Sequence, residues 1–192
     1  MQSLKDRIRA EATVIGTDIL KVDHFLNHQV DVDFLQEVGQ ELYRHFQDEP
    51  VTKILTVEAS GIAVAVAAAM LFHVPVVFAK KSASLNLDQD TYTSEVFSFT
   101  RQTSYLMKVS KRYLSQEDHV LIIDDFLANG RAVQGMIDIV KQAGASLAGV
   151  GIVIEKGFQE GGRLLRQQGI KVVSLAIIEA MDESHIEFRE EQ

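Results

Sequence analysis

The middle and C-terminal parts of this chain alternate regularly between apolar strands and amphipathic helices, from about Val51 to Ala180. The predicted strands, of which VLIIDD at residues 120–125 is the clearest, are nearly continuous apolar runs. Such runs are typical of strands buried on both faces, and the helices between them place consecutive strands parallel. The alternation therefore predicts an α/β fold with a central, mostly parallel sheet flanked by helices.

Length and composition narrow the classes of protein to which the chain can belong. With 192 residues, 46% of them apolar, we expect one domain with a core large enough to fold alone. A net charge of −8 argues against a general surface for nucleic acid or anionic membrane, so we expect neither partner. The absence of cysteine excludes disulfides and thiolate chemistry. Since no segment resembles a signal peptide and the apolar stretch at residues 62–77 is too short to span a bilayer, we expect a soluble, cytoplasmic protein.

Three segments outside this alternation need separate predictions. Residues 1–45 carry two amphipathic helices, the first capped by Ser3, with a loop or short strand pieces at 19–31 between them. Residues 82–100 are rich in serine and threonine, and a polar stretch of this length indicates a functional lid, a protruding hairpin or disorder. The acidic C-terminal tail, from Asp182 onward, is predicted to be exposed.

Charged and small residues follow four of the predicted strands, and these positions define a candidate site. They are residues 58–61, Lys80 and Lys81, Asp124 and Asp125, and residues 155–157. The carboxyl ends of parallel strands meet at one edge of a sheet, and open α/β sheets bind ligands beyond that edge. We therefore expect the four strand ends to form one rim.

The two adjacent carboxylates Asp124 and Asp125 allow two interpretations. By themselves, they are most simply solvated residues at the end of a strand. They are followed, however, by a turn of mainly small residues that opens a helix, namely Ala128, Asn129, Gly130, Arg131 and Ala132. Free backbone N–H groups at the start of a helix favour an anion, and carboxylates accept hydrogen bonds from sugar hydroxyls or bind a magnesium shell. The combination indicates a site for a ribose phosphate.

A second loop suited to anions follows an earlier strand and consists of Ala59, Ser60 and Gly61. Alone, it is an ordinary turn in which Ser60 caps the following helix. Beside another anion loop, its amides become candidates for binding a diphosphate. Lys80 and Lys81 are by themselves most simply solvated, but as point charges on flexible stems they also suit diphosphate oxygens.

Other nucleotide-binding and catalytic motifs are missing from the sequence. It holds no P-loop, no complete dinucleotide-binding fingerprint and no G-x-S-x-G elbow. The six histidines are scattered, and none lies in an H-E-x-x-H motif. We therefore predict no metal site formed by protein side chains.

The segment VLIIDDFLANGRA, at residues 120–132, resembles the signature sequence of the type I phosphoribosyltransferases, in which an apolar strand and two acidic residues precede a phosphate loop. The order of the other segments is also similar to that family, with the EASG loop, the lysines and the polar lid preceding the signature. The resemblance covers essentially the whole chain and implies the type I phosphoribosyltransferase fold for a single domain of residues 1–192. Residues 1–45 would then form mainly a small hood and N-terminal helices, and residues 82–100 a flexible lid.

The resemblance also implies an activity and a role for each candidate residue. These enzymes are glycosyltransferases of purine and pyrimidine metabolism that transfer the phosphoribosyl group of 5-phospho-α-D-ribose 1-diphosphate (PRPP) to a base, with Mg²⁺ carried by the diphosphate. Asp124 and Asp125, as catalytic residues, would hold the ribose hydroxyls, and the loop at 128–132 would hold the 5′-phosphate. The loop at 59–61 and the two lysines would bind the diphosphate. The family also suggests a homodimer whose lids reach near each other's sites.

Within the family, the segments ILKVDHFLNHQVD, VEASGIAVA, LANG and EKGF are similar to bacterial members that use xanthine. This similarity implies that Leu20 and Asn27 of the hood contact the base and that Lys156 donates to a purine oxygen. The loop departs from the family pattern, because many relatives have threonines and a second glycine there and we expected Gln rather than Arg131. Two alternatives stay open, namely an enzyme for another base, such as hypoxanthine, guanine or orotate, and a regulator that binds PRPP without turnover.

Overall fold

The computed structural model describes residues 1–82, 90–98 and 103–190. Its helices are α1 Gln2–Glu11, α2 Val32–Phe46, α3 Gly61–Phe72, α4 Arg131–Gln142 and α5 Gly161–Gln167. Its strands are β1 Thr13–Ile15, β2 Ile19–Lys21, β3 Lys53–Val57, β4 Val76–Ser82, β5 Thr91–Ser98, β6 Thr103–Ser110, β7 His119–Leu127, β8 Ser146–Lys156, β9 Val172–Met181 and β10 Ile186–Phe188. A π-helical turn, Asp23–Asn27, follows β2, and a 3₁₀ turn, Lys111–Tyr113, follows β6.

Eight strands of the described chain form one sheet in the order β10-β9-β8-β7-β3-β4-β6-β5. The five central strands, β9 to β4, pair in parallel, whereas β10, β6 and β5 pair antiparallel. The predicted α/β fold with a central, mostly parallel sheet is therefore confirmed. The chain moves from β3 to β4 on one side and then returns to β7 on the other, so the strand order reverses between β3 and β7. In open α/β sheets, such a reversal opens a crevice in which ligands bind.

The sheet is covered by helices on both faces, as strands with continuous apolar runs require. One core layer contains Ile123 of β7 with the apolar sides of α1, α2 and α3. The other contains the neighbouring Ile122, with the apolar sides of α4 and α5. Successive residues of a strand point to opposite faces, so one apolar run supplies both layers.

The N-terminal segment agrees with its prediction in part. Within residues 19–31, β2 is a short strand piece, as predicted, and pairs antiparallel with β1, but a π-helical turn whose Phe25 and Leu26 are buried follows it. Ser3 does not cap the first helix, because α1 already begins at Gln2 with Met1 in the cap position. The N-terminal ammonium of Met1 donates to the carbonyl oxygen of Leu175 at 2.7 Å instead, which ties the start of the chain to β9.

The predicted lid and tail have different outcomes. Residues 83–89 and 99–100 of the predicted lid lie outside the described residues, whereas Thr91–Ser98 pair antiparallel with β6 along their length, which fits the hairpin alternative. The prediction of an exposed tail holds for most of its described residues, but β10 pairs with β9 and Phe188 is only 9% exposed. Ile186 and Phe188 alternate with charged residues, a period-two pattern that buries one face of a strand. No described helix is both long enough and apolar enough to cross a membrane.

Candidate active site

The crevice between β3 and β7 brings the loop at 59–61 next to the carboxylate pair. Gly61, the first residue of α3, packs so closely here that a Cβ atom would overlap the hydroxyl oxygen of Thr56 and lie 2.8 Å from Asp124 Oδ1. The absence of a side chain at Gly61 is therefore what allows α3 to begin directly against β7. Thr56 itself is fully buried, and its Oγ1 has no hydrogen-bond partner among the described residues.

Asp124 and Asp125 are part of β7 and are 5% and 7% exposed, so they are not solvated residues beyond a strand end. The backbone N–H of Asp125 donates to Asp124 Oδ1 at 3.0 Å. Burial raises the pKa of Asp124 well above its usual value, and the charge of Asp125 raises it further, while the Asp125 N–H and the charge of Lys81 oppose both effects. Two adjacent buried carboxylates are costly without donors or cations, so the pair is suited to a ligand that supplies them.

The turn at 128–132 has the backbone of an anion-binding loop at the start of a helix. Gly130 has φ +79°, a left-handed conformation that glycine adopts without strain, and it occupies the cap position of α4. The next residue, Arg131, donates its backbone N–H to Asn129 Oδ1 at 3.4 Å. The side chain of Arg131 lines a cavity of about 320 Å³ between α4 and β5, together with Glu95 and Asp138. The first N–H groups of α4 have no carbonyl partner within the helix, which favours an anion.

The structure distinguishes Lys80 from Lys81 as candidates for binding a diphosphate. Both lie within β4 rather than after it, and adjacent strand residues face opposite sides of a sheet. The charge of Lys81 lowers the pKa of Asp124, and its Nζ lies 5.5 Å from the ring centroid of Tyr105. Its backbone N–H donates to Glu58 Oε1 at 2.6 Å, which connects the end of β4 to the loop at 59–61. Ser60 occupies the cap position of α3, but its side chain makes no capping hydrogen bond.

The three residues predicted to contact the base lie at the N-terminal segment and the end of β8. Lys156 donates through Nζ to the carbonyl oxygen of Asp18, in the turn between β1 and β2, and lies 5.9 Å from the ring centroid of Phe126. Burial lowers the pKa of Lys156, and the charge of Asp18 opposes that shift. Leu20, two residues beyond Asp18, is only 7% exposed and packs in the core, whereas Asn27 is exposed at the end of the π-helical turn.

Glu155 does not lie on the rim, which corrects the expectation from the four strand ends. It is 2% exposed and faces α5, where Arg166 donates from both Nη atoms, each at 2.7 Å, and Ser174 donates from its hydroxyl group. The physical reason is the period of two along a strand, which turns Glu155 away when Lys156 points towards the turn between β1 and β2. Arg166 and Ser174 lie outside every motif, so sequence reasoning missed both. Within residues 1–82, 90–98 and 103–190, no group of three or more His, Asp or Glu side chains is arranged to hold a metal ion.

Known proteins are similar to this chain along most of its length. A family model described as "Phosphoribosyl transferase domain" matches residues 22–191. The chain is 57% identical to the xanthine phosphoribosyltransferase of Ruminiclostridium cellulolyticum over 190 residues, which cover 99% of this chain and 100% of the relative. It is 56% identical to the xanthine phosphoribosyltransferase of Lacticaseibacillus casei over 191 residues, with both chains completely covered. The resemblance to enzymes of this group is therefore confirmed.

Solved structures of adenine phosphoribosyltransferases share the fold. The enzyme from Giardia lamblia, solved with 9-deazaadenine, superposes with a TM-score of 0.76 at 22% identity, covering 91% of this chain and 96% of that one. The enzyme from Trypanosoma brucei, solved with AMP, pyrophosphate and ribose-5-phosphate, gives a TM-score of 0.75 at 17% identity, covering 91% and 78%. At these identities the likeness shows the fold, which is the type I phosphoribosyltransferase fold. The family model, the relatives that match along the whole length and the shared fold together show that this chain belongs to the phosphoribosyltransferase family.

Proposed function

We propose that the protein is a xanthine phosphoribosyltransferase. It transfers the 5-phosphoribosyl group of PRPP to xanthine, giving xanthosine 5′-monophosphate and diphosphate, and so salvages the free base. The observation that carries the proposal is the identity of 56–57% along the full length with relatives that are named for this activity. The crevice is consistent with it, because a buried carboxylate pair and two loops suited to anions lie beside one another at the strand-order reversal.

The residues at the crevice divide between the parts of PRPP. Asp124 and Asp125 accept hydrogen bonds from the two ribose hydroxyls, which supply the donors that the buried pair needs. The loop at 128–132 holds the 5′-phosphate on its backbone amides, so the reaction does not require the side chain of Arg131. The loop at 59–61 and Lys81 bind the diphosphate. Lys80 lies on the opposite side of β4 and is therefore less suited to bind it.

Little proton chemistry is needed from the protein, because the proton that the purine nitrogen loses passes to the leaving diphosphate. The bond from C1 of the ribose to the diphosphate breaks ahead of the bond to the purine nitrogen, so positive charge develops on the sugar, as in glycoside cleavage. Asp124 and Asp125 stabilise that charge, while Lys81 and the amides at 59–61 stabilise the leaving diphosphate. Mg²⁺ enters as part of the substrate, bound by the diphosphate oxygens, which are hard ligands of the kind that it prefers.

Selection of the base follows from hydrogen-bond donors and acceptors. Lys156 only donates, so it pairs with a 6-oxo group and meets another donor on the 6-amino group of adenine. Asn27 both donates and accepts and is therefore suited to read the 2-oxo edge that distinguishes xanthine from hypoxanthine. Leu20 contributes less to selection of the base, because its side chain is almost completely buried in the core. An unpaired buried polar group costs about 1–3 kcal/mol, which gives roughly ten- to hundredfold selection per contact.

The hairpin of β5 and β6 supports a lid in the predicted position. Its strand β5 packs on α4, where Gln142 Nε2 donates to the carbonyl oxygen of Thr93 at 2.7 Å and the Thr93 N–H donates to Gln142 Oε1 at 3.2 Å. The hairpin is thereby anchored on the helix that begins with the phosphate loop. The role of the proposed lid is to exclude water, which would otherwise hydrolyse the activated sugar.

The protein acts as a homodimer in the cytoplasm. Large apolar side chains that are 41–69% exposed on α3, β4 and the 3₁₀ turn support a protein interface, namely Val66, Met70, Phe78 and Tyr113. Sedimentation equilibrium tests this assignment, since a monomer at micromolar concentration contradicts it. PRPP is highly charged and does not cross membranes, so an enzyme that consumes it works in the compartment where PRPP is made.

The decisive experiment measures diphosphate release. The purified protein is mixed with PRPP and Mg²⁺ and then, separately, with xanthine, hypoxanthine, guanine or adenine. We expect release with xanthine in preference to the other bases, and none from a matched preparation of the double variant Asp124→Asn, Asp125→Asn. Preference for hypoxanthine or guanine would reassign the base, whereas the absence of diphosphate release with every base would leave the regulator alternative.

A further inference from the structure

An ion pair between the buried Glu155 and the partly exposed Arg166 lies directly behind the loop at 128–132 and has no place in the mechanism above. Glu155 of β8 accepts two hydrogen bonds from Arg166 of α5, both at 2.7 Å, and a third from the Ser174 hydroxyl of β9. Burial alone raises the pKa of Glu155, but the hydrogen bonds from Arg166 and Ser174 outweigh it and hold the pKa below its usual value. Glu155 is therefore ionised at neutral pH, and it joins α5 to two strands of the sheet.

The first two residues of α5 connect this ion pair to the loop. Gly161 donates its backbone N–H to the carbonyl oxygen of Ala128 at 3.1 Å. A Cβ atom on Gly161 would overlap that oxygen and lie 2.5 Å from Gly130 N, so backbone packs directly on backbone here. A Cβ atom on Gly162 would instead overlap Glu155 Oε1 and lie 2.6 Å from Arg166 Nη1. Adjacent glycines thus contact the loop on one side and the ion pair on the other.

We propose that Glu155 and Arg166 are positioning residues for the 5′-phosphate loop and act on it through Gly161. The ion pair fixes α5 against β8 and β9, and α5 in turn fixes the carbonyl of Ala128 and the amide of Gly130. Backbone amides bind a phosphate well only when they are held in place beforehand, because otherwise binding must also order the loop. Loss of the ion pair therefore weakens binding of the phosphate end of PRPP and leaves the diphosphate end unchanged.

The proposal rests on the assignment of the loop to the 5′-phosphate, so the test measures binding as well as turnover. Titration calorimetry of each variant with ribose 5-phosphate, and separately with Mg²⁺-pyrophosphate, reports the two ends of PRPP. In Arg166→Met and Gly161→Ala, we expect the Kd for ribose 5-phosphate to rise about tenfold and the Kd for pyrophosphate to stay within twofold. Arg166→Lys keeps the charge without the paired hydrogen bonds and should recover part of the loss.

Arg163→Met is the matched control. Arg163 also lies on α5, but it is exposed and its Nη1 donates only to Gln167 among the hydrogen bonds of the described residues. This variant should bind both ligands as the wild type does. In steady-state kinetics, the KM for PRPP should rise in Arg166→Met, whereas the KM for the base should stay constant.

Some results would contradict the positioning role, and another would contradict the proposed function. Equal weakening of both ligands in Arg166→Met would show a general loss of folded protein and contradict the positioning role, as would unchanged binding of ribose 5-phosphate in a folded variant. If Arg166→Met is too unstable to purify, Arg166→Lys gives the same comparison, because it weakens the ion pair and keeps the charge, while Gly161→Ala tests only the contact of α5 with the loop. A wild-type protein that binds neither ligand would refute the proposed function itself.

Discussion

Replacement of Asp124 by asparagine should make the protein more stable and less active. Asp124 is 5% exposed, lies next to the equally buried Asp125, and has a pKa raised first by burial and then by the charge of Asp125. Asparagine has almost the same shape, keeps an acceptor for the N–H of Asp125, and carries no charge. The substitution therefore removes a cost of folding and, with it, the charge that the proposed mechanism requires at the ribose.

The sign of the pH dependence follows from the direction of the pKa shift. A carboxyl whose pKa is higher in the folded state binds a proton more tightly when folded, so its contribution to stability is complete below the unfolded pKa, at about pH 4. That contribution is lost as the pH rises through the folded pKa. Asparagine does not titrate, so the stability of the variant relative to the wild type increases as the pH rises. Relief of a buried like charge is worth on the order of 1 kcal/mol, which corresponds to about 2–4 °C in Tm for a chain of this length.

Thermal unfolding at about pH 4 and about pH 8, together with kinetics at the higher pH, tests this reasoning. We expect Asp124→Asn to melt above the wild type at the higher pH and close to it at the lower pH. The kcat/KM should fall roughly 10- to 100-fold, since hydrogen bonds to a charged group contribute about 1.5–3 kcal/mol. Asp48→Asn, at an exposed turn before β3, should change neither quantity. A Tm below that of the wild type at the higher pH would refute the argument that the buried charge is costly.

Three further substitutions test other parts of the structure. Lys156→Met should lower kcat/KM for xanthine roughly 10- to 100-fold and leave the Kd for PRPP unchanged; unchanged xanthine kinetics would contradict the base contact. Gly61→Ala should weaken binding of Mg²⁺-pyrophosphate, measured by calorimetry, because its Cβ would overlap the Thr56 hydroxyl, and tight binding would show that the loop can shift. Phe188→Ala should lower the free energy of unfolding in urea by about 3 kcal/mol with little change in kcat, whereas a silent substitution would show that the C-terminal strand adds nothing to the core.

The architecture could be predicted from the sequence because each central strand is recognisable from its own apolar pattern. Strands buried on both faces must be apolar throughout, and the helices between them have a clear apolar side, so periodicity alone indicated a parallel sheet. The C-terminal strand was missed for the opposite reason. Ile186 and Phe188 are only two apolar residues in an acidic tail, and their burial depends on pairing with β9, which local pattern does not show.

The candidate site was predictable only where its residues are adjacent in sequence. The small residues of the strand-to-helix turn after Asp125 indicate an anion loop directly. The contact of Gly61 with Asp124 joins segments 63 residues apart, and it depends on the strand order, which sequence did not give. The orientation of Glu155 was not predictable from the sequence either, because it points away from the side of β8 on which Lys156 lies. Charge near a strand end thus indicated the rim, but it did not indicate which of two adjacent charges faces it.

The end of β8 links the two halves of the proposed substrate site. Lys156 reaches the turn between β1 and β2 through Asp18, and the adjacent Glu155 reaches α5 behind the proposed phosphate loop. In the product of the proposed reaction, covalent bonds fix the separation between the base and the 5′-phosphate, so the protein must hold that turn and the loop at a matching separation. A single strand whose neighbouring residues point in opposite directions meets that requirement. Changes at Lys156 should therefore affect mainly the base and changes at Glu155 mainly PRPP, whereas only displacement of β8 itself should weaken both together.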